Sequence, residues 1–140
     1  MSLPVVLLHG WGFGPGVWRA MQRCLPDLEW HTLDLGFYRT PNLSLPANTP
    51  FIAIGHSLGF LWLSQRLHDP EFATRCRGLI AINGCARFAR APDFPMGVAV
   101  RVLERMIRQL HDNPIEVFFH FQRQSGLTLP LPLPDHLDIA

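Results

Sequence analysis

The chain has 140 residues, a length that suits one domain, and a formal net charge of +1. Hydrophobic residues make up 48% and charged residues 16%, enough apolar mass for a buried core and too little charge for a disordered chain. The near-neutral balance gives no global field for nucleic acid or a membrane surface, and no apolar run is long enough for a membrane span.

Leu3 to Leu8 is a short apolar run that reads as a buried strand, the opening "MSL" being set aside as a scar of expression. A glycine-rich loop, "HGWGFGPG", follows from His9 to Gly16. Val17, Met21 and Leu25 stand at helical spacing, which predicts a helix over 17–25. Trp30 to Leu35 reads as a second strand. Residues 36–50 form a loop broken by Pro41, Pro46 and Pro50. Phe51 to Ile54 is a third strand. Leu58 to His68 reads as a helix apolar on most faces, hence buried, and Leu79 to Ile82 as a fourth strand. Strands alternating with helices predict a mostly parallel sheet with helices on both faces.

The character changes after Asn83. A polar loop with prolines covers 86–95, and a helix is expected over 97–111. Pro114 suits the first turn of another helix, capped by Asn113 and reaching about Gln124. The tail "LTLPLPLPDHLDIA" resists helix and sheet alike, because its prolines remove backbone donors. The expected organisation is a core over 1–85 and a helical lid with a proline-rich tail over 86–140.

The chemistry sits at the third strand. "FIAIGHSLGF" sets Gly55-x-Ser57-x-Gly59 between an apolar strand and an apolar helix. That is a nucleophile elbow: the chain reverses sharply, the serine is held in strained geometry, and the flanking glycines let strand and helix close around it. The first strand ends in "HGWG", His9 to Gly12. Such a turn offers a backbone N–H to a developing oxyanion at Trp11, to pair with the N–H of Leu58 at the helix start. Gly10 and Gly12 let the backbone approach the substrate, and His9 orients the loop.

Both motifs, in this order and on these elements, resemble the α/β-hydrolase superfamily. More narrowly, "LLHGWG", "GHSLG" and "AINGCARF" are similar to the esterases of biotin synthesis that cleave the methyl ester of pimeloyl-acyl carrier protein. The resemblance implies a serine carboxylester hydrolase with neither metal nor organic cofactor. It implies as substrate a small or carrier-bound ester, and as partners neither nucleic acid nor membrane. It also makes Asp34 a loop anchor. Phe60 departs from the pattern, where a small residue is usual, and is expected to set the helix slightly farther out. The family continues past the lid with more strands and a catalytic histidine, so the C-terminal part of the fold is expected to be missing and this chain alone incomplete.

A serine needs a base. His9 and His56 flank the active-site loops at spacings that suit orientation. His31 and His68 read as element ends, and His111, His120 and His136 fall in the lid, none of them at the family's place for the base. The base is therefore expected beyond residue 140. Asp93, in "RAPDFP", is the candidate acid by resemblance to a shorter esterase variant, a plain loop aspartate being the simpler reading. Arg101, Arg105 and Arg108 at helical spacing, with Arg123, form either a solvated face or a basic surface that steers an acidic carrier protein. Phe118, Phe119 and Phe121 with Leu127 line an acyl channel or form plain lid core.

Cys24, Cys76 and Cys85 are odd in number and widely spaced, which fits neither a disulfide framework nor a metal site and suits a cytoplasmic location. A homodimer through an exposed sheet edge or the lid is also expected. A second function stays open: an incomplete hydrolase fold used as a binding or assembly module. The acyl chain and the alcohol are not legible.

Overall fold

The computed structural model of the chain describes residues 2–126. The proline-rich tail, with Leu127 and His136, lies outside them. The chain divides into two compact units, Met1–Ala86 and Arg87–Ala140.

The first unit is built on four parallel strands: β1 Val5–Leu8, β2 Trp30–Leu33, β3 Phe51–His56 and β4 Cys76–Ile82. Their order across the sheet is β2-β1-β3-β4. Leu8 of β1 aligns with Leu33 on one side and Gly55 on the other. Strand periodicity divides the core in two. Val6, Leu8, Leu33, Phe51 and Ala53 face one way, packed with Leu63 and Phe72. Val5 and Leu7 face the other way, with Trp18, Met21 and Ile54.

Short helices cover both faces. A 3₁₀ turn at Pro15–Trp18 leads into α1, Arg19–Cys24. The expected single helix over 17–25 is therefore split. Trp18 and Met21 enter the core, whereas Val17 and Leu25 are exposed. Pro15 starts the turn early, and that register points the large indole inward. On the other face lie α2, Leu58–Arg66, and α3, Pro70–Arg75. Helix α2 is less buried than expected, since only Gly59 and Leu63 are buried. Helix α3 escaped the sequence reading, although Asp69 caps it, accepting from the Glu71 N–H, and Pro70 opens it.

The second unit holds α4, Val100–Asp112, and α5, Pro114–Gln124. Asn113 caps α5 through its side chain, which accepts from the Glu116 N–H. No helix among the described residues is long and apolar enough to cross a membrane.

Candidate active site

Parallel strands end together, so the residues that follow them converge at one edge of the sheet, where open α/β sheets bind ligands. His9 follows β1, Asp34 follows β2, Ser57 follows β3 and Asn83 follows β4.

Ser57 joins β3 to α2 with φ 51° and ψ −114°. A non-glycine residue there is strained, and such strain persists only where surrounding structure enforces it. The surroundings do so at three points. The Ser57 N–H donates to the Ile82 carbonyl at 3.0 Å, and the Ser57 carbonyl accepts from Phe60 and Leu61 at 3.0 and 3.3 Å. A Cβ on Gly55 would stand 2.3 Å from the Phe60 Cα, and one on Gly59 would stand 2.2 Å from the Leu8 carbonyl oxygen. Neither position has room for a side chain, so the two glycines fix how closely the elbow closes.

That closeness corrects the expectation for Phe60. The helix is not set off from the strand. Room for the ring comes instead from Gly84, where a Cβ would meet the Phe60 side chain at 2.7 Å.

The loop after β1 is a tight turn, its Phe13 N–H donating to the Gly10 carbonyl at 3.2 Å. Gly12 takes the left-handed conformation, φ 71°, that the third position of such a turn demands. Trp11 sits at the second position. Leu58 opens α2, so no carbonyl one turn earlier accepts its N–H. The Tyr38 hydroxyl, from the loop after β2, donates to the Gly12 carbonyl. Sequence reasoning missed this strut, for which a lone tyrosine 26 residues away gives no signal.

His9 is fully buried. Its Nδ1 donates to the Gly10 carbonyl at 3.0 Å, and its Nε2 accepts from the Leu35 N–H at 3.1 Å. Asp34 Oδ1 stands 3.1 Å from Nε2 and accepts from the Gly36 N–H at 2.8 Å. Arg39 Nε lies 3.2 Å from Asp34 Oδ2. Both ring nitrogens of His9 are thus committed to the loops, which suits an orienting role and leaves none for the serine. Asp34 ties the second loop to the first and bridges to Asn42 through two backbone hydrogen bonds of 2.8 and 2.9 Å.

The other histidines of the first unit also point elsewhere. His31 Nε2 contacts the Ser44 carbonyl, and His68 is exposed beyond α2. His56 packs against Gly10, and burial followed by the neighbouring His9 lowers its pKa. Among the described residues no side chain hydrogen-bonds the Ser57 hydroxyl.

In the second unit Asp93 is exposed and paired with Arg87. Among the described residues no histidine hydrogen-bonds it. Arg101, Arg105, Arg108 and Arg123 are all exposed, as are His111 and His120. A cleft of about 550 Å³ lies between α4 and α5, lined by Val102, Met106, Val117 and Phe121. Phe118 is buried.

No family model matches the chain. Individual proteins do. The pimeloyl-[acyl-carrier protein] methyl ester esterase of Photorhabdus laumondii is 32% identical over 123 residues, which is 78% of this chain and 46% of that protein. Its namesake in Xanthomonas axonopodis is 37% identical over 109 residues, 67% of this chain and 42% of that protein. The chain spans about half the length of these curated relatives. Among solved structures, an esterase from Exiguobacterium antarcticum superposes with a TM-score of 0.70 at 18% identity, over 87% of this chain and 53% of that one. That likeness concerns the fold, and it agrees with the parallel order β2-β1-β3-β4. The fold is thus of the α/β-hydrolase type, and in sequence the chain resembles the pimeloyl-[acyl-carrier protein] methyl ester esterases.

Proposed function

We propose that the protein is a serine carboxylester hydrolase, with Ser57 as nucleophile. The observation that carries this reading is the strained Ser57 backbone, locked between two glycines that have no room for a side chain. The hydroxyl attacks the ester carbonyl, the N–H groups of Trp11 and Leu58 receive the oxyanion, and the alcohol leaves. Water then attacks the acyl-enzyme and releases the acid. Gly10, Gly12 and His9 shape and orient the oxyanion loop. Every atom of this sequence comes from serine, ester and water, so neither metal nor organic cofactor is assigned.

The base is a histidine outside the first unit, and Asp93 is the acid assigned to orient it. The substrate is the methyl ester of pimeloyl-acyl carrier protein, by the names that the relatives carry. Arg101, Arg105, Arg108 and Arg123 are assigned to the acidic carrier, supported by their exposure. Pairing of two copies along β4 belongs to the same reading. Among the described residues that strand pairs only with β3, and its Ile80 and Ile82 are 49% and 36% exposed. A cytoplasmic location follows from the carrier-bound substrate and the three free cysteines.

The test is turnover of a methyl ester by the gene product at its natural length, beside its Ser57→Ala form. Loss of about 10³-fold or more on removing the hydroxyl supports the reading. Equal turnover by both forms overturns Ser57 as the nucleophile, and no turnover by either form favours a binding or assembly module.

A further inference from the structure

His56 leads by its main chain into one half of the proposed oxyanion site and touches the turn that carries the other half. It is the last residue of β3, and its main chain leads directly into Ser57 and Leu58. Strand alternation turns its side chain to the face opposite the one on which α2 packs, the same face as Ile54. There the imidazole meets both ends of the turn that carries Trp11. A Cβ on Gly10 would lie 2.9 Å from Nδ1 and 3.2 Å from Cε1. The ring of Phe13, the other end of the turn, meets the imidazole edge-on, with centroids 5.3 Å apart at 81°.

One side chain therefore touches both ends of the Trp11 turn, while its own backbone fixes the second donor. Its Nδ1 is buried and has no hydrogen-bond partner among the described residues. A polar atom left unpaired in this way costs stability. What the position needs is a flat group thin enough to lie against the Gly10 backbone.

We infer that His56 is a positioning residue: its imidazole is the spacer that sets the distance between the Trp11 and Leu58 N–H groups. The inference rests on the proposed esterase reading and deepens it. A spacer of this kind acts on the transition state, because the two donors must converge on the oxyanion and not on the ground-state carbonyl. It should leave substrate binding nearly unchanged.

The test compares His56→Ala and His56→Phe in the gene product at its natural length, with thermal midpoints measured for both. The substrates are a nitrophenyl ester and its thionoester, in which sulfur replaces the carbonyl oxygen. Sulfur is larger and accepts hydrogen bonds poorly, so the oxo-to-thiono rate ratio reports the fit of the oxyanion site. For His56→Ala the expected result is a fall in kcat of about 10²-fold on the oxoester, with KM changed by about twofold at most. The oxo-to-thiono ratio should fall by about tenfold, because a loosened site discriminates less. His56→Phe keeps a ring against Gly10 and Phe13 and should recover most of both. An unchanged ratio in His56→Ala, with turnover still dependent on Ser57, overturns the spacer and leaves the esterase intact. If His56→Ala does not fold, His56→Phe decides: wild-type kcat and ratio support a spacer acting through shape, and a collapsed ratio overturns it. Turnover indifferent to Ser57→Ala overturns Ser57 as the nucleophile, and the spacer with it.

Discussion

The ring of Phe60 lies where a side chain at position 84 would stand, 2.7 Å from the place of a Gly84 Cβ. One residue lies in the first turn of α2, behind the nucleophile elbow, and the other follows the end of β4. The pair resolves a conflict in the sequence. A large aromatic residue after Gly59 would push helix from strand unless the neighbouring chain gave way. It gives way at Gly84, beside Asn83, whose φ of 48° turns the chain aside as β4 ends.

Gly84→Ala is expected to destabilise the fold by about 1–3 kcal/mol, the usual cost of overpacking. In a Phe60→Ala background the same change should cost much less, with a coupling of about 1 kcal/mol or more. Chemical denaturation of the four forms measures this. Additive losses would mean that the two residues do not share the space.

Much of this site could be read from residue order alone, because its parts are local. Gly55-x-Ser57-x-Gly59 after an apolar run specifies a turn, and His9-Gly10-x-Gly12 specifies another. Parallel topology then brings the two together without further information. What escaped the reading is non-local. Tyr38 reaching Gly12, His56 wedged against Gly10 and Phe60 over Gly84 depend on chain segments meeting in space. Which residues of the first helix enter the core was not legible for a related reason. Val17, Met21 and Leu25 have ideal spacing, but Pro15 starts the turn earlier and the core takes Trp18. Helix α3 was missed because six residues are too few for periodicity, although its Asp-Pro start was visible.

The elbow glycines should matter far more than the helix behind them. Gly59→Val places its Cβ against the Leu8 carbonyl oxygen, at a site that would have to open by about 1 Å or more. A displacement of that size typically lowers turnover by about 10²-fold. Ser64→Ala loses only a hydroxyl that donates to the Leu61 carbonyl within α2. Its stability should change by about 0.5 kcal/mol or less. Ester turnover by the two variants checks the contrast, and normal turnover in Gly59→Val would refute the tight elbow.

Acid should loosen the first unit through His56. Its pKa lies below the ordinary 6.5, first because burial penalises the charged ring and second because His9 faces it. The other side chains that face it, Phe13 on the loop and Ile82 on β4, carry no charge. A lowered pKa in the fold means that the unfolded chain binds the proton first. Stability is therefore full above 6.5 and is lost as pH falls toward the depressed folded value. His56→Phe should flatten that part of the curve, and thermal midpoints from pH 5 to 8 (a range of about three units) measure it. A wild-type midpoint that rises as pH falls below neutrality would contradict the assignment.

Charge on α4 should govern the carrier and not the chemistry. Reversing Arg101, Arg105 and Arg108 to Glu removes an exposed basic face. Association with an acyl-carrier-bound ester should slow by about tenfold at low salt, and the difference should shrink as salt rises. Turnover of a small nitrophenyl ester should hold. Equal loss on both substrates would place these residues in folding or catalysis.

Ser57 is proposed as a nucleophile held ready by its strained backbone. Labelling the gene product at its natural length with a fluorophosphonate, then locating the adduct by peptide mass spectrometry, tests it most directly. One adduct is expected, on the peptide containing Ser57, abolished by Ser57→Ala and suppressed by a competing methyl ester. An adduct on another residue, or none on a preparation that hydrolyses esters, would contradict it.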